Sequence, residues 1–238
     1  MSYEGKRVVI LGGGSGMGLA LAKKVVAAGG QVIIGGRNPE KLSKVAAVLG
    51  HDTSYVAFDL GDEAAVKAAF DKIGAFDHLV TTAAELTFAP VADLTTEQVR
   101  SMLVSKFWGP FYASKYAAPH LSRDGSVTFF SGLAAYRPAP GAAIVAALNA
   151  ALEGFAMTLA LEIKPVRVNV VSPGVVDTPT WDFLSAEDRQ GLFDSVAGAL
   201  PVGRVGHADD LADAALSLMG NGFINGTVLH VDGGGRIA

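Results

Sequence analysis

The chain has 238 residues, half of them apolar and 29 of them glycine, with no cysteine and a formal net charge of −4. That length buries a substantial core within one domain, and the composition is that of a turn-rich α/β protein rather than a disordered one. Lack of cysteine excludes disulfides, thiolate catalysis and cysteine–metal sites. The histidines at 51, 78, 120, 207 and 230 show no ligand spacing, so no metal site is expected. The charges are interspersed without a basic stripe, which argues against nucleic acid.

The chain begins MSYEGK and runs directly into a strand, so no signal peptide is expected. No apolar stretch is read as approaching the roughly 18 residues that span a bilayer, so a cytoplasmic protein without membrane contact is expected.

Arg7 to Leu11 is a short β-branched run bounded by glycine and reads as a buried strand. Gly12, Gly13 and Gly14 break it. From Gly16 the period turns helical, with Leu21, Val25 and Ala28 on one face and Gly29-Gly30 as the stop. A strand that turns tightly into a helix leaves unpaired N–H groups at the helix start, and missing Cβ atoms let a phosphate approach them.

Gln31–Gly35 is the second strand, and Asn38-Pro39-Glu40 opens the next helix with a cap, a proline at the first position and an acid. Ser54–Phe58 is the third strand, followed by a helix from about Asp62 to Ile73, and His78–Thr81 is the fourth strand. Thr95-Thr96-Glu97-Gln98 reads as a capping box for a long helix running towards Pro119. Ser126–Phe130, a long helix over about 142–163, and Val166–Val171 come next. The stretch from Pro173 to Gly206 reads as irregular, with short helical pieces at most. Asp209–Met219 and Thr227–Val231 are the last helix and strand. This alternation predicts a single-domain, Rossmann-like, doubly wound parallel sheet over 1–238 with helices on both faces and ligands at the carboxyl ends of the strands.

At the end of the second strand, where an acid usually bonds the ribose 2′-hydroxyl of NAD, stand Gly36 and Arg37. No carboxylate there repels a 2′-phosphate, and a guanidinium is placed to pair with one, so NADP(H) is the expected cofactor. Ser15 adds a hydroxyl donor inside the glycine loop. Asp59 either accepts from the adenine amino group or terminates the third strand.

The spacing Gly12-x-x-x-Gly16-x-Gly18, the pair Asp59-Leu60, Ser172-Pro173-Gly174 through Thr178, Leu200-Pro201-Val202-Gly203-Arg204 and the tail Gly226–Gly234 together resemble the short-chain dehydrogenase/reductase family over about residues 5–235. The resemblance implies a seven-stranded sheet in order 3-2-1-4-5-6-7. It implies a cofactor site formed by Gly12, Gly14, Ser15, Gly16, Met17, Gly18, Arg37, Asp59, Leu60, Ala83, Pro173, Gly174 and Thr178. A substrate cover over 175–206 is also implied, made apolar by Trp181, Phe183, Leu184, Leu192 and Phe193. The helices at 95–119 and 142–163 are expected to pair between subunits as a homodimer or homotetramer.

The proton-transfer residues of that family are absent. Its members protonate an alkoxide with a tyrosine whose pKa a lysine four residues on depresses. Here Val145 occupies the tyrosine position and Asn149 the lysine position; a one-residue slip gives Ile144 and Leu148. No tyrosine follows Tyr136, and Tyr112 and Lys115 lie three apart on the preceding helix. The helix asparagine is Lys106, the Asn-Asn-Ala-Gly segment is Thr81-Thr82-Ala83-Ala84, and either Ser131 or Gly132 stands in the serine position.

Lys106, Ser131 and Glu85 are the candidate catalytic groups. Glu85 is expected at the pocket mouth, either as an acid with a raised pKa or as the partner of Lys106 in an ion pair that only fills space. Tyr136 and Arg137 read as loop surface. Three functions stay open: an NADP(H)-dependent oxidoreductase of a small, apolar carbonyl or alcohol substrate with a nonstandard proton donor, a cofactor-binding sensor or regulatory subunit without turnover, and a non-redox lyase or isomerase.

Overall fold

The computed structural model describes residues 2–238. Seven parallel strands form one sheet in the order β3-β2-β1-β4-β5-β6-β9. These are β1 (Arg7–Leu11), β2 (Gln31–Gly36), β3 (Thr53–Ala57), β4 (Phe76–Thr81), β5 (Leu121–Phe130), β6 (Arg167–Pro173) and β9 (Val228–Val231). The expected order holds, with β9 in seventh place because β7 (Val176–Asp177) and β8 (Gly206–His207) pair separately as a small parallel ribbon.

Alternation along β1 divides the core. Val9 and Leu11 face a cluster built with α3 (Glu63–Ile73), α5 (Gly109–Ala117) and α6 (Ala143–Glu162). Val8 and Ile10 face one built with α1 (Gly16–Ala27), α2 (Pro39–Leu49) and α8 (Ala208–Gly220). Strands buried on both faces favour continuous apolar runs, which is why β1 reads as the unbroken run Val8–Leu11.

Local capping chemistry forms as expected. The Asn38 side chain accepts from Lys41 N at 2.9 Å, and Thr95 and Gln98 close a reciprocal box. The helix after it is not uniform. α4 (Thr96–Leu103) passes through a π turn, Val104–Trp108, into α5. Pro110 has no N–H to return to the carbonyl four residues back, and Gly109 N instead bonds Val104 O, five residues back.

Two sequence expectations are corrected. The stretch 173–206 contains a full helix, α7 (Ala186–Ala199), capped by Ser185, which accepts from Asp188 N at 3.1 Å. Only Phe193 is buried along it, so it carries almost no amphipathic period to read. And α6 is 20 residues of mean hydropathy 1.7, long and apolar enough by length and composition to cross a membrane. In this fold its inner face packs on the sheet instead, with Leu152, Ala156, Leu159 and Ala160 in the core.

Candidate functional site

A cleft of about 610 Å3 opens at the carboxyl ends of β1, β2, β3 and β4. Its floor is the turn from β1 into α1. Gly12 has φ +93°, and a Cβ there would lie 2.6 Å from both Ala83 N and Thr82 Oγ1. Gly18 packs just as closely, since its Cβ would stand 2.4 Å from Gly12 O. These contacts let the 81–84 segment lie on the end of β1, where Thr82 N donates to Leu11 O at 2.8 Å. Thr81-Thr82-Ala83-Ala84 thereby ties the two strand ends together. Ser15 is the N-cap of α1 but its side chain makes no capping bond, so its hydroxyl and the first α1 amides face the cleft.

Of the expected cofactor residues, Gly12, Gly14, Ser15, Gly16, Met17, Arg37, Asp59, Leu60, Ala83 and Thr178 line this cleft. Gly18 acts from beneath by close packing. Pro173 and Gly174 end β6 outside the lining, where a Cβ on Gly174 would meet Asp232 Cα at 2.8 Å. Asp59 both faces the cleft and closes its own turn, with Oδ1 accepting from Gly61 N at 2.8 Å. Lys41, Arg100, Ser101 and Val104 also line it and were not anticipated.

Glycines whose missing Cβ atoms let the strand ends meet, unpaired amides at a helix start, and the Arg37 guanidinium directly after β2 are the chemistry of a dinucleotide phosphate site. The residues present therefore fit NADP(H).

The start of the cover lies over this cleft. Thr178 and Pro179 come within 3.6 and 3.7 Å of where a Gly16 Cβ would be. Arg189 of α7 staples the segment, donating to Asp177 at 2.5 Å, Asp182 at 2.8 Å and Thr178 O at 3.3 Å. Trp181 is anchored through Nε1 to Val176 O at 3.0 Å and stacks on Phe88, with ring centroids 5.7 Å apart.

Of the candidate catalytic residues, Lys106 and Ser131 meet, and Glu85 lies apart from them. Glu85 forms an ion pair with Arg37 and accepts from the Ser101 hydroxyl, not from Lys106. The Ser101 hydrogen bond and the Arg37 charge outweigh the opposing effect of burial and hold its carboxyl below the usual range, the opposite of what a general acid needs. Lys106, turned inward from the π turn, is buried and donates to Phe130 O and Ser131 O, both at 3.0 Å. Burial lowers its pKa to about 8 against the opposing charge of Glu153.

Ser131 is likewise turned inward, donating to Glu153 Oε1 at 2.6 Å. It is Gly132 that faces Asn149, whose Nδ2 lies 3.4 Å from Gly132 O. Gly132, not Ser131, is therefore the residue that meets the Asn149 side chain. Val145, Asn149 and Glu153 recur every four residues on the buried stripe of α6, with Val145 packed against Met102 and Leu148.

Glu153 was missed from sequence, as was its second partner. Tyr136 donates to Glu153 Oε2 at 2.5 Å and sets its ring edge-on to His230, 4.5 Å between centroids. Burial and the Glu153 bond push the phenol up to about 12. Arg137 donates to Gly235 O at 2.8 Å and to Ala238 O. Both residues are exposed, as expected of loop surface, while their polar ends tie the loop after β5 to the neighbouring elements. The available signal was that Glu153 is the sole charge between 143 and 161, on the stripe that faces the sheet.

Fold and cleft together define a dinucleotide-binding α/β protein. The profile of the family described as Enoyl-(Acyl carrier protein) reductase matches residues 12–235. The short-chain dehydrogenase/reductase malC of Malbranchea aurantiaca is 34% identical, over 97% of this chain and 94% of its own. A solved small-chain dehydrogenase in complex with NADPH is 34% identical with a TM-score of 0.86, covering 98% of this chain and 99% of that one. The MalC Reductase/Diels-Alderase structure from M. aurantiaca is 31% identical with a TM-score of 0.90, covering 99% and 97%. The chain belongs to the short-chain dehydrogenase/reductase family of oxidoreductases.

Proposed function

We propose that this protein is an NADP(H)-dependent oxidoreductase that acts on an apolar carbonyl or alcohol without the tyrosine–lysine pair of its relatives. The observation that carries the reading is Arg37 at the end of β2, in a cleft whose glycine turn and α1 amides suit a pyrophosphate. An NADPH-bound relative supports it. When bound, the dinucleotide supplies or accepts the hydride. Arg37 holds the 2′-phosphate, the Gly12–Gly16 turn holds the pyrophosphate, and Thr178 closes over it. Trp181, Phe88 and Phe183 form a stacked aromatic group beside the cleft that favours an apolar molecule.

With Glu85 bound to Arg37 and Ser131 to Glu153, Lys106 is the remaining candidate for the proton. Two of its three N–H groups are taken by backbone carbonyls, and a pKa of about 8 suits proton transfer near neutral pH. The test is NADPH oxidation across a panel of carbonyl and imine substrates by the wild type and Lys106→Met. The reading expects turnover that Lys106→Met lowers at least roughly a hundredfold, with NADPH affinity kept within about twofold. Unchanged turnover in the variant assigns the proton to water.

Val145, Gly132 and Asn149 in place of the usual groups favour a second reading, a cofactor-binding sensor or regulatory subunit. It requires tight NADPH binding, no oxidation of NADPH by any substrate in the panel, and a cofactor-dependent change in assembly. The Reductase/Diels-Alderase description of one relative supports a third, non-redox use of the same pocket. We also propose a homodimer or homotetramer through the helical face that exposes Trp108, Met157 and Leu161.

A further inference from the structure

The sheet order β2-β1-β4 places the glycine turn that follows β1 between the strand ends that carry Arg37 and Glu85. The Arg37 Nη1–Glu85 Oε1 ion pair therefore arches over that turn, and both side chains line the cleft. The two ends of the arch are not held alike. Glu85 is fixed to the α4 side of the cleft, its carboxylate by the Ser101 hydroxyl and its backbone N by Ser105 Oγ at 2.9 Å. Arg37 is 65% exposed, and among the described residues it makes no other ion pair.

We infer that Glu85 is a specificity-determining residue that competes with the cofactor's 2′-phosphate for Arg37. The inference rests on the proposed reading of Arg37. A carboxylate and a phosphate use the same guanidinium N–H groups, and the phosphate carries the greater charge. A phosphorylated dinucleotide must take Arg37 from Glu85, which stays behind on Ser101 as a like charge beside the phosphate. NAD(H) has no phosphate there and leaves the pair as it is. Glu85 thus lowers affinity for NADP(H) alone and narrows the margin by which the cleft prefers it.

The experiment is calorimetric titration of NADP+ and NAD+ into the wild type, Glu85→Gln, Glu85→Ala and Arg37→Met, with adenosine 2′-monophosphate as a fragment probe. Removing the Glu85 charge is expected to tighten NADP+ and the 2′-monophosphate by roughly three- to tenfold, and to leave NAD+ within about twofold. Glu85→Ala gives the same sign although it also loses the Ser101 contact. If both Glu85 variants bind NADP+ no more tightly than the wild type while Arg37→Met weakens NADP+ selectively, the competition is refuted and the Arg37 reading stands. If Arg37→Met affects neither nucleotide, both fall.

Discussion

Above β1, β2 and β4 the turns and side chains open towards a ligand that carries phosphates, whereas above β5 and on α6 they turn inward towards one another. In the first region Gly12 and Gly18 leave no room for a Cβ, Ser15 is free of capping duty, and Arg37 stands at the rim. In the second, Ser131, Tyr136 and Glu153 bond among themselves, Lys106 holds the carbonyls of Phe130 and Ser131, and Val145 is packed as a core residue. One fold carries an open glycine turn under steric constraint beside a buried polar cluster whose donors and acceptors are already engaged. Binding and chemistry are separable within the same sheet.

The strongest way to break the contrast is at the turn. Gly18→Val puts side-chain atoms into Gly12 O and Thr82 Oγ1, so it should abolish NADPH binding and lower stability by about 3 kcal/mol, read by titration and thermal unfolding. Equal damage from Gly132→Ala would erase the distinction between the halves. A Cβ at Gly132 meets only the Asn149 amide at 2.8 Å, the end of a side chain that can turn aside, and the expected loss is below about 1 kcal/mol.

A comparable effect is expected at the seam. His78 on β4 meets Ser126 on β5 through Nδ1 and Oγ at 2.9 Å, buried beneath the sheet. Burial lowers its pKa from 6.5 to about 4. Because the folded value is the lower one, the neutral ring's contribution is complete above pH 6.5 and is lost as pH falls from there towards 4. That depression corresponds to roughly 3 kcal/mol. Urea unfolding between pH 7 and 4 should show a loss of this size that His78→Gln flattens. An unchanged slope in the variant would place the acid sensitivity elsewhere.

The first region was largely legible in the sequence because its determinants are local: strand, glycine turn, helix, and Arg37 directly after β2. The caps at Asn38 and Thr95 were legible for the same reason. What escaped depends on contacts distant in sequence. The Arg37–Glu85 pair joins residues that follow the two strands flanking β1, and Tyr136 finds Glu153 only once the β5 loop packs on α6. The π turn at 104–108 follows from Pro110, which suggests a broken helix but does not say that Lys106 will swing inward.

The smallest and most direct expected change is in nucleotide preference. Titrating NADPH and NADH into the wild type and Arg37→Ala measures whether the cleft reads a 2′-phosphate. Tighter binding of NADPH by about tenfold or more, with the difference erased in Arg37→Ala, is the predicted result. Equal affinities in the wild type, or a preference that survives the substitution, would contradict it.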